Sequence, residues 1–112
     1  MRQDTGISLA QKDVPVAVYV VAQLKFKNRL AYDRYKAAFG PVFRKYAGQV
    51  LAADEAPRVE EGSWSADKVV LISFPDEPTY RIWADSPEYQ EIAKDRREGA
   101  ECVVLLLKGV PA

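Results

Sequence analysis

The run Phe74–Arg96, FPDEPTYRIWADSPEYQEIAKDR, decides the fold. Phe74 closes an apolar strand. Asp76 and Pro78 then open a helix bearing Tyr80, Ile82 and Trp83, since aspartate accepts from the free amides of a first turn and proline is tolerated there. Ser86 followed by Pro87 repeats the device and predicts a further short helix carrying Tyr89, with a lone arginine, Arg96, after it. A strand followed by two capped helices must deliver the chain back to a sheet.

Outward from this run, the rest of that sheet is readable. Val16 to Phe26 alternates, with Val18, Val20, Ala22, Leu24 and Phe26 on one face and Tyr19, Val21, Gln23 and Lys25 on the other. Asn28 caps a helix whose apolar positions Tyr35, Ala38, Phe39, Val42 and Tyr46 end near Gly48, and Pro41 within it predicts a kink or break. Gln49 to Asp54 reads as strand two, Pro57 to Trp64 as a loop, Lys68 to Phe74 as strand three and Cys102 to Lys108 as strand four. The order βαββαβ is α+β, a ferredoxin-like antiparallel sheet with its helices on one face.

Both faces of these strands are apolar. Val21, Val69 and Leu71 oppose Val20, Val70 and Ile72, and strand four is VVLLL. An antiparallel sheet ordinarily wets one face, and leaving a valine or leucine exposed forfeits about 1.5–3 kcal/mol each. Something must cover the second face. A second copy does so economically, pairing as a dimeric α/β barrel; the alternative is that the N-terminal tail or the loop Asp54–Asp67 folds over it.

Sixteen Lys and Arg balance sixteen Asp and Glu over 112 residues, so charge points to neither nucleic acid nor an anionic membrane. No stretch approaches the roughly 20 apolar residues of a membrane span. The single cysteine, Cys102, between apolar neighbours, fits a buried thiol and a cytoplasmic location. Residues 1–14 read as a flexible N-terminal tail without a signal-peptide core, and 15–112 as a single domain.

The chain resembles the bacterial family called domain of unknown function 1330, within the dimeric α/β barrel superfamily. The matching pieces are YVVAQL at Tyr19–Leu24, Tyr32 and Tyr35 in AYDRY, YAG at Tyr46–Gly48, EEGSW at Glu60–Trp64, FP at Phe74–Pro75, and W-x-x-SPEYQ from Trp83 to Gln90 with Arg96 following. The resemblance implies a homodimeric barrel and carries over no catalytic residue. The sequence departs from the family pattern at Ala47, where a first glycine is usual, at Asp54–Ala56, where the turn is usually glycine-rich, and at Asn28–Arg29, where aspartate and proline are usual.

No histidine is present, which removes the commonest general base and a frequent metal and haem ligand; no metal or cofactor is expected. Histidine-dependent chemistry found among related barrels cannot be transferred. The acids Asp54, Glu55, Glu60 and Glu61 lack calcium-loop spacing. VYVVAQL looks superficially like the first strand of an RNA-recognition motif, but DKVVLISF lacks that fold's stacking aromatics. What remains is Tyr19, Gln23, Tyr35, Tyr89 and Arg96 as candidate ligand-binding residues, with Arg96 either anchoring an anion or paired with an acid such as Asp85. Trp64 and Trp83 read as packing anchors and Ser86 as a cap. The functional expectation is a homodimer binding a small aromatic or carboxylated metabolite between sheet and helices. It could be a cofactor-free oxygenase or isomerase in which a tyrosine or Glu60 does acid–base work. The alternative is a noncatalytic module with a packed interior.

Overall fold

The computed structural model describes residues 16–111; the expected tail, residues 1–14, lies outside them. The elements are β1 (Val18–Phe26), α1 (Arg29–Phe43), β2 (Gln49–Asp54), β3 (Lys68–Phe74), α2 (Glu77–Ala84), α3 (Pro87–Gly99) and β4 (Ala100–Lys108). They form one antiparallel four-stranded sheet in the order β2-β3-β1-β4, the ferredoxin-like α+β arrangement.

Each helix starts where a side chain satisfies its free amides. Asn28 accepts from Ala31 N at 3.2 Å, Asp76 from Thr79 N at 2.8 Å, and Ser86 from Tyr89 N at 3.1 Å while its own hydroxyl donates to Trp83 O at 2.8 Å. One expectation for α1 needs correction: it ends at Phe43 rather than near Gly48. Of the kink or break expected at Pro41, no break is present, because that residue falls in the last turn and costs only one backbone bond.

The registers sort every strand residue by face. On the helix side the rows are Val50–Ile72–Val20–Leu106, Ala53–Val70–Ala22–Val104 and Lys68–Leu24–Cys102. On the outer side, Ala52–Leu71–Val21–Leu105 is an apolar row across the full width of the sheet, flanked by Tyr19 with Leu107 and by Val69–Gln23–Val103. A bulge between Val50 and Ala52 resets the alternation of β2, so that both Val50 and Ala53 face the helices.

The outer face is largely bare. Val103 is 56% exposed and Leu105 and Leu107 46% each. The loop after β2 covers one corner only: Trp64 Nε1 donates to Gln23 Oε1 at 3.0 Å. Within the described residues, the expected cover by that loop is therefore partial.

Beneath the helices the core has two ends. At one, Phe74, 1% exposed, meets Phe43, Tyr80 and Trp83 with ring centroids 5.4–5.9 Å apart. At the other, Leu24, Tyr32, Ala93 and Ala100 are fully packed. Between the two ends the sheet is low, because two of the four residues in the row Ala53–Val70–Ala22–Val104 are alanines. No helix among the described residues is long and apolar enough to cross a membrane.

Candidate ligand-binding site

The low row leaves a cavity of about 380 Å³ between sheet and helices, within the range of small-molecule sites. Val20, Ala22, Leu24, Val70 and Ile72 form its floor; Tyr35, Trp83, Tyr89 and Arg96 stand on its helical side. Of the residues singled out from sequence, Tyr35, Tyr89 and Arg96 meet here. Tyr19 and Gln23 do not: their parity puts them on the outer face, opposite Ser73 and Val69, and Gln23 is engaged by Trp64. Glu60 is not on the cavity wall either; its carboxylate is 80% exposed and lies 3.8 Å from Arg58.

Helix geometry explains the meeting. Tyr35 and Tyr89 face each other across the α1–α3 seam, their hydroxyls 3.0 Å apart and both side chains buried. Burial first, then the adjacent Tyr89, drives the Tyr35 phenol well above its ordinary range, so it stays neutral and is unsuited to act as a base. Burial likewise pushes Tyr32 up to about 12, with the Glu55 charge adding to it.

Arg96 is the unusual member. Its Nε is buried with no hydrogen-bond partner among the described residues, and the expected pairing with Asp85 is not formed. Trp83 Nε1, on a side chain only 4% exposed, is the other buried donor left without an acceptor. Both residues line the cavity. An unsatisfied buried donor costs about 1–3 kcal/mol, more when charged, and both of these belong to residues that line the cavity. Cys102, expected to be buried, is half-buried beside Arg96.

Lys68 is the residue that sequence reading left out of the site. Its side chain is 6% exposed, its ammonium lies 4.9 Å from the Tyr32 ring, and its nearest carboxylate oxygen, Glu55 Oε2, is 3.7 Å away, beyond hydrogen-bond reach. Glu55 is committed elsewhere: Arg29 grips both its oxygens at 2.9 and 3.0 Å and holds its carboxyl below the ordinary range. Burial lowers the Lys68 pKa, partly opposed by the Glu55 charge. Lys36, Arg81 and Arg97 also line the cavity, against one acid, Asp85, so the wall is cationic. Among the described residues no cluster of acids and cysteine is suited to a metal ion.

The buried ammonium should weaken the fold. Replacing a buried, poorly paired charge by an apolar side chain of similar length stabilises by about 1 kcal/mol or more, so Lys68→Met is expected to raise Tm by several degrees at pH 7. Because the folded pKa lies below the ordinary 10.5, the penalty is complete while both states are protonated. It fades as pH rises from the folded value to 10.5, where the unfolded chain binds the extra proton. The Tm gap between variant and wild type should therefore narrow toward pH 10.5; a variant less stable than wild type at pH 7 would refute this.

Solved structures with this architecture are distant in sequence. A protein of unknown function from Rhodopseudomonas palustris superposes with a TM-score of 0.73 at 18% identity, covering 100% of this chain and 96% of that one. A dimeric ferredoxin-like protein of unknown function from Jannaschia sp. CCS1 gives 0.60 at 18%, covering 81% and 97%. SnoaB, a cofactor-independent oxygenase from Streptomyces nogalater, gives 0.60 at 12%, covering 88% and 97%. These likenesses establish the fold alone. No curated protein matches the sequence. The family described as Domain of unknown function (DUF1330) matches residues 17–110, and the chain belongs to it.

Proposed function

We propose that this protein is a homodimer, working in the cytoplasm, that binds a small apolar or aromatic carboxylate in the cavity of each subunit. The observation that carries the reading is that Arg96 and Trp83, each with a buried N–H left without an acceptor, both line one cavity whose floor is apolar and whose helical wall is cationic. A carboxylate is the natural partner for the Arg96 guanidinium, and the tyrosine pair adds a neutral hydroxyl nearby. The second copy is supported by the partly exposed apolar row Ala52–Leu71–Val21–Leu105 and by the dimeric description of the Jannaschia protein.

Catalysis of the cofactor-independent kind named for SnoaB would need a base on this wall. Burial holds Tyr35 neutral, so it does not serve as that base, and binding is the better supported role.

Native mass spectrometry of freshly purified protein tests both parts at once, reporting subunit count and any small molecule carried along. Arg96→Met should weaken benzoate binding tenfold to a hundredfold by calorimetry, the worth of a charge-assisted hydrogen bond, with the dimer intact. Undiminished binding in the variant would remove Arg96 from the site.

A further inference from the structure

Arg96 and Lys68 stand on one level of the sheet. Leu24 of β1 is paired with Lys68 on one side and with Cys102 on the other, and Cys102 is the strand residue beside the Arg96 guanidinium. Two strand spacings separate Lys68 and Cys102, roughly 10 Å between backbones. The aromatic rings of Tyr32 and Tyr35, 5.8 Å apart, lie between: Lys68 Nζ is over the first, and the second shares its hydroxyl with Tyr89 next to Arg96. The two cations thus flank a short aromatic wall.

Neither cation has a carboxylate within hydrogen-bond distance among the described residues. Arg96 has no acid partner among the described residues. Lys68 has one distant carboxylate, already gripped by Arg29. Arg97 and Lys36 on the same wall make a monoanion a poor electrostatic match.

We infer that the ligand is a dianion: a small aromatic or apolar body with two separate carboxylates, one held by Arg96 and one by Lys68, its body lying along Tyr32 and Tyr35. The inference rests on the carboxylate-binding reading above and adds the second anionic group. The stability cost expected of a lysine at this position is consistent with a residue kept for a ligand.

The test is calorimetric titration of the full chain with benzoate, benzene-1,3-dicarboxylate and benzene-1,4-dicarboxylate. Wild type should bind one of the dicarboxylates at least tenfold tighter than benzoate. Lys68→Met should lose that preference. A wild type that binds benzoate and prefers neither dicarboxylate overturns the dianion and leaves the carboxylate site standing; this arm needs no variant. A preference that persists in Lys68→Met overturns the assignment of Lys68. Binding of none of the three probes overturns the carboxylate site itself, and the dianion with it.

Discussion

Gly99→Ala is expected to cost about 3 kcal/mol of stability, lowering Tm by more than 10 °C. Gly99 ends α3 against the first turn of α1, so close that an added Cβ would lie 2.5 Å from Tyr32 N and 2.8 Å from Tyr32 Cα. Those are backbone atoms of a helix and cannot swing aside. The carbonyl of Gly99 also accepts from Lys27 N at 2.9 Å and Asn28 N at 3.1 Å, fixing the turn from β1 into α1. Parting the helices enough for a methyl group would strain both bonds. Against this, alanine in a helix is favoured over glycine by only about 1 kcal/mol. Gly40→Ala is the control: its Cβ would meet only the flexible tip of Arg44 at 3.2 Å, so the propensity gain should dominate and Tm should rise slightly. Thermal melts of both decide it; an unchanged Tm for Gly99→Ala would mean that the α1–α3 seam is looser than these distances. Tyr32, which lines the cavity beside Lys68, would move with α1, so the surviving folded protein should also bind carboxylates less well.

The helix caps and strand faces were legible in the sequence because they are local. Asn28, Asp76 and Ser86 each satisfy an amide three residues away, and alternation in β1 depends on the pleat alone. The cavity was not legible, because its floor needs four strands at once: Ala22 makes a hollow only when Ala53 lies in the same row, and the β2 bulge puts it there. Pooling Tyr19 and Gln23 with Tyr35, Tyr89 and Arg96 mixed residues from opposite faces of the sheet, although β1 parity already separated them. Lys68 had a usable signal. It shares parity with Val70, Ile72 and Phe74, so a lysine stands on an otherwise apolar inward face, a pattern that demands a partner or a ligand. That Arg96 lacks an acid partner could not be read, since the choice between Asp85 and a ligand turns on side-chain directions across two helices.

Val21→Lys is expected to turn the proposed dimer into monomers, raising the dissociation constant at least a thousandfold. Val21 is central in the row Ala52–Leu71–Val21–Leu105, so in a face-to-face pair each copy would bring an ammonium into the middle of an apolar contact. Two like charges buried near a two-fold axis, without acceptors, cost several kcal/mol between desolvation and repulsion. The substitution should leave the subunit itself folded, because the lysine lies on the side away from the helices, where its stem can lie along Leu71 and Leu105 and its charge can reach water. Light scattering coupled to size exclusion reads the mass, and circular dichroism reads the fold. A variant of dimer mass would mean that this row is not the interface. A wild type of monomer mass would mean that no second copy covers the face. A monomeric variant that keeps wild-type secondary structure and still binds benzoate would show that each cavity is complete within one chain.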